Sequence, residues 1–346
     1  MYRDGKQIIT SEVHNFVLNH AALGDMITSL PAIVFARQFY APQLKMAVWV
    51  PPWQMELVTY LLKPYGEFEI KDFLTFPAKA EERRLADIGP VSYNAALFDT
   101  HTRCRVPMMD YAFNFLINAR PESMLQRSYP TAAPLGPRIP LLDEPYVVFP
   151  VGATSDNKLF KAHVMAPIMQ WCVDSGYTPV IVGTKQSHTS TQIDGQLKPV
   201  VLREETAKLP PELLAQCIDM REKTTLLQLR DLLGHAEAVV GVDGGTLHLA
   251  GTTDVPMVFA SGTTLPKHRY VARHGDPSFK IRYVGPRDLE CAGCQSNWPL
   301  TTLHFTKCVY SDNKCMDLLH PDDFTNGLKE LGLCLIPPLQ RLRPLL

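Results

Sequence analysis

The stretch Val239 to Ser261, VVGVDGGTLHLAGTTDVPMVFAS, constrains the fold more than any other part of the chain. An apolar run, Ala238 to Val242, stops at Asp243, two glycines and a threonine. A short helical segment carrying His248 follows. A second apolar run, Val255 to Ala260, then ends in Ser261-Gly262-Thr263-Thr264. This order reads as strand, glycine turn, helix, strand and small polar loop. A glycine turn that opens a helix lets backbone N–H groups approach an anion, and the helix dipole favours negative charge there. Open α/β sheets bind ligands at the carboxyl ends of parallel strands, where such turns lie. The stretch therefore points to a phosphate-bearing ligand.

The same alternation runs through the rest of the chain. Asn15 to Asn19 reads as a strand and His20 to Gly24 as a turn. Asp25 begins a helix with Ile27, Leu30, Ile33 and Val34 on one face, and Pro31 predicts a kink or a tight first turn within it. Lys45 to Val50 is a strand, Trp53 to Lys63 a helix, Ala95 to Phe98 a strand and Met108 to Ala119 a helix. Pro121, Pro130, Pro134, Pro137, Pro140 and Pro145 crowd one stretch with little periodicity, which reads as an interdomain linker. Beyond it come strand Tyr146 to Val151, polar loop Gly152 to Lys158, helix Phe160 to Asp174 and strand Pro179 to Gly183. Helix Thr225 to Leu233 follows, capped by Thr224 or Thr225. Strands alternating with helices on both sides of the linker predict two parallel-sheet domains of Rossmann type, residues 1–135 and 136–320. Residues 321–346 form a C-terminal helix and a tail that is proline-rich from Pro337.

Composition narrows the function. A chain of 346 residues suits two domains, and its 46% hydrophobic share is that of a soluble globular protein. Lys and Arg number 34 against 35 Asp and Glu, so no basic excess points to nucleic acid. The N-terminus, MYRDGKQIIT, lacks the apolar core of a signal peptide, and no apolar run is long enough to span a bilayer. The expected location is cytoplasmic, with peripheral contact at the inner membrane face left open. Eight cysteines without an export signal read as reduced thiols or a metal site before disulfides.

Three segments in order carry a resemblance. Leu23-Gly24-Asp25 is followed by Thr28-Ser29-Leu30-Pro31-Ala32, Val151 to Lys158 reads VGATSDNK, and the third is the stretch already described. Together they resemble the ADP-heptose:lipopolysaccharide heptosyltransferases of glycosyltransferase family nine. The resemblance implies an α/β, GT-B fold: two Rossmann-like domains facing a central cleft, acceptor in the first and nucleotide sugar in the second. Near the C-terminus, Ser261-Gly262, Leu265-Pro266 and the later cysteines are similar to the autotransporter heptosyltransferases, which modify protein serines and carry a four-cysteine iron site. The extra N-terminal domain of that branch has no counterpart here, and the later cysteine spacings differ.

The implied reaction is glycosyl transfer with inversion, from a nucleotide-diphosphate sugar (ADP-heptose or similar) to an acceptor hydroxyl. It needs a base, groups that stabilise the departing diphosphate, and a water-poor site. Asp25 matches the family's catalytic aspartate, with Gly24 beside it. An aspartate in a first helical turn is also favourable on dipole grounds alone. Lys158 matches the lysine that neutralises the diphosphate, and Thr154 and Ser155 offer hydroxyls. Asp243, Gly244, Gly245 and Thr246 form the phosphate and sugar turn, His248 matches the family's histidine, and Ser261 and Gly262 line the same cleft. His101, Arg103 and Arg105, with Arg37 and Arg120, are candidates to meet an acidic acceptor, either a saccharide, a lipid-linked saccharide or a protein hydroxyl. Two departures leave the base and the sugar open. Gly244 stands where a hydroxyl residue is common, and Gly183-Thr184-Lys185-Gln186-Ser187 lacks the acid expected after the second strand of this domain.

Cys291-x2-Cys294, then Cys308 after thirteen intervening residues and Cys315 after six more, form a four-thiolate candidate for structural zinc or iron within the loop 288–315. No catalytic metal is implied, and a homo-oligomer is compatible with the sequence. Two other readings stay open: a non-catalytic nucleotide-sugar-binding or assembly subunit, and a nucleotide-sugar epimerase or hydrolase on the same fold.

Overall fold

The computed structural model of the protein describes residues 2–3, 6–7, 13–18, 22–40, 42, 45–77, 91–94, 131, 133–139, 142–188, 199–266, 279–294, 308 and 312–335. The chain divides into two compact units, one drawing on Met1–Pro134 and the other on Leu135–Ser187 and Pro199–Leu346.

The first unit is built on four parallel strands, Val13–Val17 (β1), Lys45–Val50 (β2), Glu69–Asp72 (β3) and Val91–Asn94 (β4), in the order β3-β2-β1-β4. β2 reads KMAVWV and is buried over five of its six residues, as parallel strands covered on both faces are. Val17, Ala47 and Trp49 form a core cluster with Phe73 and Phe76 against it. The Trp49 indole donates to Asn15 Oδ1 at 2.9 Å, so its one polar atom is satisfied inside that core.

Helix Leu23–Phe35 (α1) connects β1 to β2, and helix Pro52–Leu62 (α2), with proline in its first turn, connects β2 to β3. α1 begins two residues before the expected start, so Leu23, Gly24 and Asp25 form its first turn rather than a preceding one. It also runs through Pro31 to Phe35. A proline removes only its own N–H, and the apolar face of Met26, Ile27, Leu30, Ile33 and Val34 is fully buried. Burial of that face holds the helix together across the lost bond. The expected strand Ala95 to Phe98 and helix Met108 to Ala119 lie outside the described residues.

The second unit carries six parallel strands: Tyr146–Pro150 (β5), Thr178–Val182 (β6), Ile218–Asp219 (β7), Ala238–Val242 (β8), Met257–Ala260 (β9) and Ile281–Val284 (β10). Their order is β7-β6-β5-β8-β9-β10. This is the doubly wound arrangement, in which the chain turns outward in opposite directions from β5 and β8. The connections include helices Ala162–Asp174 (α3), Leu226–Gly234 (α4) and Gly245–Ala250 (α5), and helix Pro321–Glu330 (α6) closes the unit. Thr225 caps α4 in a reciprocal capping box with Gln228. α6 lays Phe324 on Phe160 at 5.6 Å between rings and brings Gly327 onto Val258 of β9.

Two buried polar contacts fix this sheet to its helices. The Tyr146 hydroxyl donates to the Leu232 carbonyl at 2.7 Å, and burial pushes its pKa up to about 12. Arg230, 1% exposed, donates to the Thr252 hydroxyl at 3.1 Å and carbonyl at 3.0 Å, tying α4 to the end of α5. Among the described residues no helix is long and apolar enough to cross a membrane.

The ends of β5 and β6 approach closely. Val151 donates its N–H to the Val182 carbonyl at 2.8 Å. Gly183 stands at φ 155°, and a β-carbon there would lie 2.4 Å from the Val151 carbonyl oxygen. Both strain and collision oppose a side chain at this position. Gly183→Ala is expected to lower stability by roughly 2–4 kcal/mol, read as a reduced urea midpoint at unchanged slope; a midpoint equal to the parent's would refute the close approach.

Candidate functional site

The strand order reverses between β5 and β8, and the loops leaving these two strands carry the charged side chains singled out from the sequence. After β5 the chain passes Val151 and Gly152 into a 3-10 turn, Asp156–Lys158. Ala153 and Arg203 exchange backbone hydrogen bonds at 2.9 Å in both directions, and the Arg203 guanidinium pairs with Asp156. The buried Ser155 hydroxyl donates to Asn157 Oδ1 at 2.6 Å. Thr154 is exposed. The loop is therefore braced from within and from Arg203, which leaves Lys158 projecting from a fixed turn.

Asp243 directly follows β8, with its N–H bonded to the Ala260 carbonyl at 2.9 Å. Its side chain is only 6% exposed, and Lys158 Nζ lies 2.8 Å from its Oδ2. His248 Nε2 lies 3.8 Å from Asp243 Oδ1, and the imidazole is equally buried. Gly244 takes an extended N-cap conformation at φ −168°, which needs no glycine. Gly245 and Thr246 begin α5, whose carbonyl at Gly244 accepts from Leu247 at 3.1 Å. Lys158, Asp243 and His248 thus come together at one edge of one sheet, although Lys158 and Asp243 are far apart in sequence. A buried carboxylate between a lysine and a histidine keeps both side chains oriented. The quarter-exposed ammonium is the part of the trio that can meet an anion from solvent.

The loop after β9 is also tightly held. The Ser261 hydroxyl meets the Thr264 carbonyl and hydroxyl at 2.7 Å each, so it is occupied within its own loop. The Gly262 carbonyl accepts from Gly293 N–H at 2.9 Å. A β-carbon on Gly262 would sit 2.7 Å from Cys315 Cβ and 2.8 Å from its sulfur. Gly262 therefore serves close approach of the cysteine segment.

The four expected metal ligands are all described. Cys291, Cys294 and Cys308 are partly buried and Cys315 is buried, each a free thiol. Burial, reinforced by Cys294, Cys308 and Cys291, pushes the Cys315 thiol up to about 12. Among the described residues no three His, Cys, Asp or Glu side chains converge as a metal group. The expected four-thiolate cage is thus not formed by these side chains as they stand. As neutral thiols they attract one another weakly, whereas thiolates gather only around a cation that offsets their repulsion.

In the first unit Asp25 lies in the first turn of α1, partly buried. Its backbone carbonyl accepts from Ser29 Oγ at 2.9 Å, and the Gly24 carbonyl accepts from Thr28 Oγ1 at 3.0 Å. Asp25 thus stands at the carboxyl end of β1. Arg37, expected on the acceptor side, follows the far end of α1. Twelve residues of helix place it about 18 Å from Asp25 along the axis, at the opposite edge of the sheet. There Arg37, Lys45, Lys63, Glu67 and Phe68 line a cavity of about 880 Å³. The helical period shows this directly, since α1 runs antiparallel to the strand it follows. His101, Arg103, Arg105 and Arg120 lie outside the described residues.

Sequence reading missed the braces. Glu205 accepts from the Ala162 N–H at 2.9 Å and caps α3 from forty-three residues away. Burial raises its pKa, but Lys208, that N–H and Lys161 outweigh burial and hold the carboxyl below its ordinary range.

Residues 115–270 match the family described as Glycosyltransferase family 9 (heptosyltransferase). This stretch, a little under half of the chain, is similar to a family 9 glycosyltransferase domain. No curated protein matches it in sequence. Among solved structures it is similar to the iron-containing dodecameric glycosyltransferase TibC of enterotoxigenic E. coli H10407, at 17% identity and TM-score 0.65, over 92% of this chain and 75% of that one. TibC has also been solved in complex with ADP-D-beta-D-heptose, where the TM-score is 0.60 at 17% identity, over 92% of this chain and 76% of that one. The E. coli ADP-heptose LPS heptosyltransferase II matches at 15% identity and TM-score 0.55, over 93% of this chain and 98% of that one. At these identities the likeness establishes the fold, which is GT-B.

The charge trio has a mechanical consequence. Lys158→Met strands Asp243 as a buried carboxylate and is expected to cost about 1–3 kcal/mol, below the figure for a fully buried pair because Lys158 is partly solvated. Adding Asp243→Leu should recover much of that loss. Strictly additive losses in denaturant titrations would show that the two side chains are uncoupled.

Proposed function

We propose that this glycosyltransferase moves a heptose-like sugar from a nucleoside-diphosphate donor to an acceptor hydroxyl, with inversion. The observation that carries the reading is the Lys158–Asp243–His248 arrangement at the point where strand order reverses. In this reading the Lys158 ammonium neutralises charge that builds on the diphosphate as the glycosidic bond breaks. Asp243 holds that ammonium and accepts from donor hydroxyls. Gly244, Gly245 and Thr246 supply backbone N–H groups. Asp25 takes the proton from the acceptor oxygen as it attacks the anomeric carbon. ADP-heptose is the donor suggested by the TibC complex and by heptosyltransferase II. The acceptor is a saccharide, lipid-linked saccharide or protein hydroxyl, at the cytoplasmic side of the membrane. Dodecameric TibC supports a homo-oligomer.

Asp25→Asn is expected to lower kcat by 10²–10⁴-fold, with donor affinity near that of the parent. Turnover at the parent's rate would exclude Asp25 as the base. Lys158→Met is expected to weaken ADP binding as well as kcat, and unchanged binding would remove the diphosphate role.

A structural metal at Cys291, Cys294, Cys308 and Cys315 belongs to the same proposal. Its support is the spacing of the four cysteines in the sequence and the iron-containing TibC neighbour. Bound zinc or iron would supply cross-linking of the loop to the end of β9. Elemental analysis of the purified protein should give about one metal per chain, lost in Cys315→Ser. Metal-free protein of unchanged stability and activity would remove the metal.

A further inference from the structure

In sheets of this order, the acid that accepts hydrogen bonds from a nucleotide ribose stands just past the second strand. β6 is that strand here, and Gly183–Ser187 after it holds no carboxylate. The neighbouring strand provides one. Leaving β7, Met220 donates its N–H to the Ile181 carbonyl at 2.8 Å, and Glu222 donates its own to the Gly183 carbonyl at 3.0 Å. The backbone of Glu222 is thereby fastened to the exit of β6. Its carboxylate accepts from the Lys185 N–H at 3.4 Å and lies 3.4 Å from Lys185 Nζ. It therefore lies over the loop that lacks an acid.

The other carboxylates of this edge are engaged differently. Asp219 takes both Nε and a terminal nitrogen of Arg221, whose remaining nitrogen reaches Glu204 and Thr206. Glu222 is 44% exposed, and its cation, Lys185, is 78% exposed and free to swing. β7 lies two strand positions from β5, about 10 Å, a span that a glutamate side chain and one ribose ring bridge together.

We infer that Glu222 reads the ribose of the donor, accepting from its 2′- and 3′-hydroxyls in place of an acid on the β6 loop. This rests on the reading that Lys158 and Asp243 hold the diphosphate. An analogue without the two hydroxyls forgoes these hydrogen bonds to a charged group, so it binds more weakly.

The test is calorimetric binding of ADP and 2′,3′-dideoxy-ADP to the parent, Glu222→Gly and Glu222→Gln. Glu222 stands at φ 59°, which glycine adopts freely, so Glu222→Gly removes the carboxylate while keeping the turn. Its urea midpoint should equal or exceed the parent's. The parent should prefer ADP by roughly 10-fold to 100-fold, the worth of hydrogen bonds to a charged group. In Glu222→Gly the preference should vanish, because ADP weakens to the level of the dideoxy compound. Glu222→Gln should keep part of it. An undiminished preference in Glu222→Gly overturns the inference while leaving the donor-site reading intact. Failure of the parent to bind ADP, UDP, GDP or CDP overturns the donor-site reading and the Glu222 assignment with it.

Discussion

Asp243 is a carboxylate buried at the end of a parallel strand, and burial of an unpaired charge there would cost several kcal/mol. The rest of the second unit is organised so that the charge is answered. The β5 loop is wound into a 3-10 turn and stitched to Arg203, which delivers Lys158 to 2.8 Å. α5 brings His248 to the other oxygen at 3.8 Å. Arg230 in turn grips Thr252 beyond α5. The proposed role of Lys158 calls for a cation fixed beforehand, because reorganisation during reaction erodes electrostatic stabilisation. The braces behind Lys158 would serve that proposed role.

The doubly wound order explains why these groups meet. Strands β5 and β8 are neighbours although some ninety residues separate them, and the connections on either side diverge. In the first unit the order β3-β2-β1-β4 repeats the first four positions of the same pattern. Asp25 therefore occupies the position, just past the first strand, that the Lys158 loop occupies in the second unit.

Much of this was legible in the residues. Strand β2 and the β8–α5–β9 stretch were readable because apolar runs of four to six residues stop at glycine or a polar cluster. The α4 cap was readable to Thr224 or Thr225, and the structure selects Thr225 through its reciprocal bonds with Gln228 three residues on. What escaped notice depended on distant partners. Glu205 caps α3 across forty-three residues, Arg203 pairs with a loop fifty residues earlier, and Tyr146 bonds a carbonyl at Leu232. Nothing in local periodicity encodes such bonds. β7 was invisible because two residues carry no period. Arg37 stands away from Asp25 for a geometric reason, since α1 carries its two ends to opposite edges of the sheet.

The contact between Gly262 and Cys315 leaves no room for a β-carbon on one side, and so no room for added atoms on the other. An adduct on the Cys315 sulfur that points toward Gly262, whether oxygen, alkyl group or glutathione, must push back the backbone at the end of β9. That backbone carries Ser261, whose hydroxyl ties its own loop. Chemical damage at a single sulfur would thus be transmitted as a displaced loop beside the strand that flanks Asp243.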